Sequence, residues 1–392
     1  MSRAGGPLSI VIDVRRLKDF GIGTHIRNLV NALARLDSEN RYHLVCRPED
    51  HHEFSHLPEN FRPAAYRRPE TDPLEHIAFS LFVGRFAADL YHIPLNRVPL
   101  WMRKPYVVTV HDLSRLLFGG LTGARRQPAI YRARRGLVNA TKVIAVSSAT
   151  RRDVEMLFGI PTEKIRVIFD APDPKFLAPS HPADARAAGP GAVLHERHRI
   201  LERYQIDHPF VLYAGSIRRH KNIPRLIEAF SVVRGELTND PLYSELRLIL
   251  IGDEISKLPE VRRTVIQSRV EPFVRFFGFV PLDTLRVFYE SAVVFAFPSL
   301  YEGFGLPPLE AMACGTPVVT SNTSSLVEAV GDAAILVNPE NVFDIARGIR
   351  DLLRDDALRV RLVEKGRRQA QRFSWERTAH EVLATYLEVA GR

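Results

Sequence analysis

Residues 293–315, VVFAFPSLYEGFGLPPLEAMACG, contain the change of pattern that decides the fold. The apolar run that ends at Phe297 predicts a buried strand, a glycine-bearing turn follows, and two prolines suit the first turn of a short helix. Gly315 is positioned to end that helix. A strand that leads through a short turn into a helix is one unit of a parallel α/β sheet.

The same alternation of short apolar runs and helical patterns extends along most of the chain. Strands predicted in the first half are Leu8–Val14, Arg41–Val45, Leu90–His92, Tyr106–Val110, Lys142–Val146 and Arg166–Phe169. Strands predicted in the second half are Phe210–Tyr213, Leu246–Ile251, Val274–Phe277, Val293–Phe297, Pro317–Thr320 and Ala334–Val337. The predicted fold class is α/β, with two doubly wound domains whose ligands bind beyond the carboxyl ends of the strands.

Chain length and one break in the alternation predict the domains. A length of 392 residues suggests two or three domains at roughly 150 residues each, and residues 171–192 are rich in Pro, Ala and Gly. We predict an N-terminal domain over 1–180, a linker or surface excursion over 181–207 and a C-terminal domain over 208–374. A helix over 375–392 is predicted to pack back on the N-terminal domain.

The composition excludes several classes of protein. With 45% hydrophobic and 25% charged residues the chain is neither disordered nor fibrous. Its two cysteines, Cys46 and Cys314, allow neither a disulfide framework nor a cysteine-rich metal site. The first residues do not resemble a signal peptide, and no apolar run approaches the roughly 20 residues of a membrane span. We therefore expect a cytoplasmic protein, at most peripheral on the inner face of the membrane.

The formal net charge of +9 is concentrated in one segment. Residues 101–150 contain nine basic residues and one acidic residue, and such a field attracts phosphates. Three interpretations stay open: a solvated face, an anionic membrane surface and a lipid-linked diphosphate acceptor. Nucleic acid is not predicted, because no binding motif or aromatic platform accompanies the arginines. The residues assigned to a membrane contact are Arg103, Lys104, Arg125, Arg126, Arg132, Arg134 and Arg135.

Two glutamates flank the glycine turn after Phe297. Exposed amides at the start of the following helix predict an anion site, which Gly303 and Gly305 let a ligand approach closely. Glu310, predicted in the first turn of that helix, is suited to accept hydrogen bonds from vicinal hydroxyls such as those of a ribose. Glu302 is placed to hold a second polyol. The alternative is that the two glutamates are a helix cap and a surface residue.

The segment EGFGLPPLEAMACGTPVV, residues 302–319, resembles the signature of family-4 retaining glycosyltransferases. These enzymes have the GT-B fold of two facing Rossmann-like domains, and the resemblance covers nearly the whole chain. It implies that Glu310 binds the donor ribose and that Glu302 contacts the transferred sugar as a catalytic residue. The backbone groups implied to contact the donor sugar or phosphate are those of Gly303, Phe304, Gly305 and Leu306.

Residues 212–222, LYAGSIRRHKN, predict a strand, a cation-rich loop and a helix start with Asn222 as N-cap. Cations at this position are suited to neutralise a diphosphate leaving group, although a solvated basic turn stays possible. The segment resembles the family's Arg/Lys diphosphate clamp. Lys221 matches the lysine. The usual arginine positions hold other residues, so Arg218 or Arg219 must replace that arginine.

Two sites are predicted in the first domain. Gly21 and Gly23 precede a helix; they resemble the family's glycine loop toward the donor diphosphate, or they form a plain tight turn. His111 ends a predicted strand, where a histidine is often purely structural. The resemblance implies that His111 lines the reaction centre as a catalytic residue, with Asp112 fixing its tautomer.

The resemblance implies retaining transfer of a hexosyl unit from a nucleotide-diphosphate sugar to a saccharide or lipid-linked acceptor. The mannosyltransferase-like branch is the most similar, which favours a mannosyl donor. A front-face reaction without cofactor or bound metal is implied, with catalysis by positioning and electrostatics. Two rival hypotheses stay open: a nucleotide-sugar epimerase of the same fold, and a basic binding module without activity.

Overall fold

A computed structural model describes residues 6–19, 21–69, 72, 74–95, 98–99, 101–119, 126–178, 189–252 and 258–391. The chain divides into two compact units. The first consists of Met1–Asp170 and Ser374–Arg392, and the second of Ala171–Phe373. Each unit is built on one parallel sheet with helices, as an α/β protein is.

The described part of the first unit contains a seven-stranded parallel sheet in the order β3-β2-β1-β4-β5-β6-β7. Its strands are β1 Ser9–Asp13, β2 Arg41–Cys46, β3 Phe61–Ala65, β4 Leu90–Ile93, β5 Tyr106–Val110, β6 Lys142–Ala145 and β7 Ile165–Val167. Its helices before the division are α1 Ile22–Leu36, α2 Glu75–Gly84, α3 Ser114–Leu117, α4 Arg126–Asn139 and α5 Ser148–Phe158. The strand order reverses between β1 and β4, which makes the carboxyl ends of these strands the expected ligand position.

The second unit has, in its described residues, a six-stranded parallel sheet in the order β10-β9-β8-β11-β12-β13. Its strands are β8 Phe210–Ala214, β9 Arg247–Ile251, β10 Val274–Phe277, β11 Val294–Phe297, β12 Val318–Ser321 and β13 Ile335–Val337. Its helices are α6 Pro174–Leu177, α7 Gly189–Arg203, α8 Ile223–Glu236, α9 Pro259–Gln267, α10 Leu282–Ser291, α11 Leu306–Ala313, α12 Leu326–Val330, α13 Val342–Arg354 and α14 Asp356–Ala370. The reversal of strand order lies between β8 and β11.

The last helix, α15 Trp375–Val389, belongs to the first unit. It begins where the Ser374 side chain accepts a hydrogen bond from the Arg377 amide, which caps one of the free N–H groups at the helix start. Its buried face packs against α1. Thr378 Oγ1 donates a 2.7 Å hydrogen bond to the Phe169 carbonyl. The end of the chain therefore holds the segment that follows β7.

Most predicted strands agree with the structure, and β5 and β10 have the predicted limits. The edge strand β3 was not predicted, because Pro63 and few apolar residues obscure its pattern; proline is tolerated at a sheet edge. The structure divides the chain at Asp170, not at residue 180. Within the predicted excursion, residues 181–188 lie outside the described part and α7 follows, with Pro190 in its first turn. Among the described residues, no helix is long and apolar enough to cross a membrane.

Candidate active site

Lys221 and Glu302 meet at the point where the strand order of the second sheet reverses. Lys221 ends a short 3-10 turn that follows β8, and Glu302 lies in the loop after β11. Lys221 Nζ lies 2.7 Å from each carboxylate oxygen of Glu302. The two side chains are only 13% and 11% exposed. Two residues that the sequence assigned to adjacent functions therefore form one partly buried ion pair.

The loop that contains Glu302 is fixed by hydrogen bonds to its backbone. Ser324 Oγ donates to the Glu302 carbonyl at 2.6 Å, and Ser325 Oγ donates to the Glu302 and Phe304 carbonyls at 2.9 and 2.8 Å. The Leu300 amide donates to the His220 carbonyl at 2.8 Å, which joins this loop to the one after β8. The ion pair thus has a rigid backbone on both sides.

Asn222 occupies the N-cap position of α8, as predicted, but its side chain does not cap the helix. Its amide nitrogen donates to the Pro298 and Pro339 carbonyls at 3.0 and 2.7 Å. Asn222 has a left-handed backbone (φ 62°), which turns the side chain away from the free helix amides. The predicted capping contact is therefore wrong, and Asn222 instead holds together the loops beside Lys221.

The glycine turn predicted as an anion site leads into α11. Gly305 is the N-cap residue with φ 117°, and a Cβ there would lie 2.9 Å from Leu326 Cδ2, so only glycine fits. Gly303 and Phe304 are also buried. Two of the first four residues of α11, which starts at Leu306, are prolines without an N–H group. The helix therefore offers an anion fewer amides than the usual four.

Glu310 is the fifth residue of α11, so its predicted place in the first turn is wrong. It is buried rather than on an outer face, and the Tyr289 hydroxyl donates to its Oε2 at 3.1 Å. Burial raises the pKa of Glu310 to about 7, the Tyr289 hydrogen bond lowers this pKa, and the charge of Asp173 raises it further. At neutral pH this carboxyl group is divided between its neutral and ionised forms.

The two arginines predicted for the diphosphate clamp are exposed. Arg219 Nε lies 4.0 Å from Glu260 Oε1 on α9. Among the described residues, the ion-pair partner of Glu302 is Lys221 alone. The structure therefore brings together Lys221 and Glu302 but does not bring Arg218 or Arg219 into this pair, and which arginine contacts a diphosphate stays a prediction.

The glycine loop of the first unit precedes α1. Gly21 is the N-cap residue with φ 68°. A Cβ at Gly23 would lie on the Leu17 carbonyl oxygen, and the Gly23 amide donates to the Asp19 carbonyl at 2.7 Å. The close contacts of Gly23 with Leu17 and Asp19 thus already require glycine at position 23. Contact of this loop with a donor phosphate stays a prediction.

His111 follows β5 at the carboxyl edge of the first sheet. Its ring packs edge-on against the ring of His25, with centroids 4.5 Å apart, and its Nδ1 lies 3.9 Å from Asp170 Oδ2. Burial and the neighbouring His25 lower the pKa of His111 to about 4, so the ring is neutral at pH 7. Asp112 Oδ1 instead accepts hydrogen bonds from the Ser114 amide and hydroxyl at the start of α3. Asp170 is therefore the carboxylate beside Nδ1 of His111.

Comparison with known families covers both units. Residues 21–176 match the family described as Glycosyltransferase Family 4, and residues 197–369 match Glycosyl transferases group 1. The O-antigen chain mannosyltransferase B of Escherichia coli is 31% identical over 76% of this chain and 74% of its own length. The chain belongs to glycosyltransferase family 4. The predicted family is thus confirmed, and this protein is a glycosyltransferase.

A further relative and a solved structure are similar to this family-4 glycosyltransferase. A D-inositol 3-phosphate glycosyltransferase of Jonesia denitrificans is 28% identical over 83% of this chain and 74% of its own length. The solved structure of Anabaena HepE in complex with UDP and glucose has a TM-score of 0.74 and 18% identity, and covers 97% of this chain and 100% of that chain. This structural similarity confirms the predicted GT-B fold class.

In each unit of this glycosyltransferase, some neighbours of the predicted site residues were not predicted from sequence. His25 and Asp170 lie beside His111, Tyr289 contacts Glu310, and Ser325 holds the Glu302 loop. His25 lies two residues after Gly23 in the first turn of α1, and Asp170 follows β7, and segments after the strands of a parallel sheet are where ligands usually bind. A polar residue after a predicted strand was the sequence feature that could have identified His25 and Asp170. Tyr289 and Ser325 come from distant elements and have no local signal.

The basic segment contributes a concave surface on the first unit. A cavity of about 230 Å³ is lined by Trp101, Lys104, Arg132 and Arg135, among others. Arg134 lies apart from this cavity lining, and its Nε donates to the Phe158 carbonyl. The Arg103 guanidinium packs on Gly84 at the end of α2. Arg125 and the side chain of Arg126 lie outside the described part.

Proposed function

We propose that this glycosyltransferase moves a hexosyl unit, most simply mannosyl, from a nucleotide-diphosphate sugar to a saccharide or lipid-linked acceptor with retention of configuration. The observation that supports this proposal is the Lys221–Glu302 ion pair at the reversal of strand order in the second sheet. A cation and a carboxylate at such an edge suit the two parts of an activated sugar, its diphosphate and its hydroxyls.

A bound diphosphate is expected to replace Glu302 as a hydrogen-bond acceptor for Lys221. Lys221 Nζ has three donors and now gives two of them to one carboxylate. A bound diphosphate would accept one or more of these hydrogen bonds, which leaves Glu302 Oε1 or Oε2 free to accept from a sugar hydroxyl. Arg218 or Arg219, both exposed on the same loop, would add the second positive charge.

Glu310 is the proposed ribose contact. Two vicinal hydroxyls donate to a carboxylate, so binding selects the ionised form of a group whose pKa burial raises to about 7. Backbone groups of residues 303–306 are proposed to contact the donor sugar or phosphate. Because two prolines reduce the amides of α11, this contact relies on the amides before Pro307.

The proposed reaction uses no enzyme nucleophile. The bond between the anomeric carbon and the diphosphate oxygen breaks, and the acceptor oxygen bonds to that carbon on the same face. The acceptor proton passes to the departing phosphate oxygen. Lys221 and one arginine would stabilise the leaving charge, so we propose that no bound metal or cofactor is required. His111, neutral at pH 7, would orient an acceptor hydroxyl.

The sugar and acceptor are inferred from relatives that differ. The Escherichia coli relative is described as a mannosyltransferase, and the Anabaena structure contains UDP and glucose. The Jonesia relative is described as acting with an inositol phosphate. The mannosyltransferase has the highest sequence identity of these three, which favours mannose. A phosphorylated acceptor would fit the basic surface of the first unit.

We also propose peripheral binding to an anionic membrane through the first unit. Lys104, Arg132 and Arg135 line one cavity, and among the described residues no carboxylate lies within ion-pair distance of them. Trp101 lines the same cavity and is 58% exposed. Basic residues next to exposed apolar ones are typical of surfaces that bind an anionic bilayer.

The proposed function is tested first by ligand-induced thermal stabilisation with GDP, UDP, ADP and their hexose conjugates. The stabilising donor is then incubated with saccharide and lipid-linked acceptors. Release of the nucleoside diphosphate with an acceptor-linked sugar of unchanged anomeric configuration, read by NMR, is the expected result. A rearranged sugar nucleotide without nucleotide release would instead indicate an epimerase. Polyanion binding that Glu302→Ala leaves unchanged, without nucleotide binding, would indicate a binding module.

A further inference from the structure

Three metal-ligating side chains converge in the first unit. They come from three elements: His25 from α1, His111 from the end of β5, and Asp170 from the segment after β7. His25 Nδ1 lies 2.6 Å from Asp170 Oδ1, and the second oxygen of Asp170 lies 3.9 Å from His111 Nδ1. One donor atom from each residue can be chosen so that all three lie within 4.8 Å of one another.

The cluster contains polar atoms without a partner. The Nε2 atoms of His25 and His111 are buried and have no hydrogen-bond partner among the described residues. His25 is 2% exposed. Buried polar atoms are nearly always hydrogen-bonded, and leaving one unpaired is unfavourable. Two unpaired imidazole nitrogens beside a buried carboxylate therefore indicate a site for a ligand that interacts with nitrogen and oxygen lone pairs.

We infer that His25, His111 and Asp170 form a binding site for a divalent transition-metal ion such as Zn²⁺ or Co²⁺. In a tetrahedral site with ligand bonds of about 2.0–2.2 Å the ligand atoms lie roughly 3.3–3.6 Å apart, so side-chain shifts of about 1 Å bring the set together. Solvent would fill the remaining coordination positions.

The chemistry of the donors selects the ion. Imidazole nitrogens suit zinc, cobalt, nickel and copper, whereas Mg²⁺ and Ca²⁺ prefer oxygen ligands. Asp170 would supply the negative charge that imidazole ligands lack. Its Oδ1 contacts His25 Nδ1 at 2.6 Å, which holds that ring in place and leaves Oδ2 for the ion.

A bound ion would inhibit the enzyme rather than serve as its cofactor. This consequence rests on the proposed function, in which His111 orients an acceptor hydroxyl. An ion bound to the His111 ring would occupy the ring nitrogen that the acceptor hydroxyl needs, or it would displace the ring. Binding of the ion itself does not depend on that role, so the two can be tested separately.

Metal binding is tested with the chain's two tryptophans as internal reporters. The Trp375 ring packs against His25 at a centroid distance of 5.8 Å, whereas Trp101 lines the basic cavity. On titration with CoCl₂ we expect the Trp375 indole NMR signal to broaden and the Trp101 signal to persist. Trp101→Phe assigns the two signals. Persistence of both signals at saturating Co²⁺, or equal broadening of both, would overturn the inference.

Affinity measurements on variants provide the second arm. His25→Phe keeps the ring packing and Asp170→Asn keeps a hydrogen-bond acceptor, and we expect each to weaken Co²⁺ binding by about 10–100-fold. The matched control is His198→Ala, an exposed histidine of the second unit paired with Glu202. Unchanged affinity in a folded His25→Phe or Asp170→Asn variant would contradict the site. If neither variant folds, the wild-type Trp375 signal decides.

No nucleotide sugar is present in these measurements. Co²⁺ binding without sugar transfer by the metal-free protein would therefore remove the proposed function and leave the metal site. Sugar transfer without the Trp375 effect would do the reverse. With both intact, Zn²⁺ is expected to inhibit transfer, and a chelator is expected to restore it.

Discussion

The carboxyl edges of the two sheets differ in how their polar side chains are paired. In the second unit Lys221 and Glu302 form an ion pair, with both carboxylate oxygens 2.7 Å from Nζ. In the first unit His25 and His111 keep buried nitrogens without a partner in the described part of the chain. An ion pair suits a charged ligand that replaces one of its two partners, whereas imidazole nitrogens without a partner suit hydroxyl groups or a metal ion.

In the proposed function, this difference separates the tasks of the two units. Diphosphate departure requires charge at a fixed place, and the backbone around Glu302 is held by Ser324 and Ser325. Orientation of a hydroxyl requires only a neutral acceptor such as His111. The same type of sheet thus supports an electrostatic site in one unit and a hydrogen-bonding site in the other.

Among the substitutions that test this comparison, removing the charge of Glu302 should lower activity the most. Glu302→Gln keeps the size of the side chain but loses the carboxylate proposed to contact the transferred sugar. We expect kcat to fall by about 100–1000-fold, measured by nucleotide release. Glu340→Gln, an exposed glutamate of the same unit, is the control and should retain wild-type kcat. A Glu302→Gln enzyme with wild-type kcat would contradict the assignment.

Lys221→Ala tests the other half of the pair. A hydrogen bond to a charged group contributes enough that its loss should weaken nucleoside-diphosphate binding by about 10–100-fold. Binding of the corresponding nucleoside, which lacks phosphates, should change little. Calorimetric titration with both ligands separates the two, and Lys221→Arg should recover part of the loss. Equal weakening of both ligands would mean that Lys221 supports the fold of the site rather than the diphosphate.

Glu310 predicts a pH dependence that is confined to the second unit. Its pKa is raised to about 7, and ribose hydroxyls require the ionised carboxylate. Nucleoside affinity should therefore rise by about tenfold per pH unit below 7 and level off above it. Calorimetric measurement of nucleoside affinity from pH 5.5 to 8.5 checks this pH dependence. A nucleoside keeps phosphate titration out of the measurement.

Two controls define that pH dependence. A 2′,3′-dideoxynucleoside and the Glu310→Gln variant should both show affinities that do not change with pH. The sign for stability is opposite: because the pKa in the folded state exceeds the ordinary 4.5, the stabilisation is complete below pH 4.5 and is lost as pH rises through 7. The unfolding temperature of the wild type should therefore fall over this pH range relative to that of Glu310→Gln. Parallel curves would contradict the raised pKa.

The sequence was sufficient to predict most of the strands and the family, whereas the roles of the site residues stay predictions. Strands such as β5 and β10 are short apolar runs whose ends are marked by the adjacent sequence, and residues 302–310 form one continuous motif. Side-chain partners were not predictable. Asn222 contacts the Pro298 and Pro339 carbonyls, which are far away in sequence, and the same holds for Tyr289 and Glu310. Local pattern identifies a residue's element, whereas tertiary packing determines its contacts.

Charge reduction on the first unit should have the smallest effect of those considered. Lys104→Gln and Arg132→Gln each remove one cation from the basic cavity, and we expect each to lower partitioning onto anionic vesicles by about fivefold, near 1 kcal/mol per charge. Arg262→Gln, exposed on the second unit, should leave vesicle binding unchanged. Sedimentation with anionic and neutral vesicles at several salt concentrations checks this. Because exposed charges are screened by salt, binding that ignores salt or lipid charge would show that the basic surface has another partner.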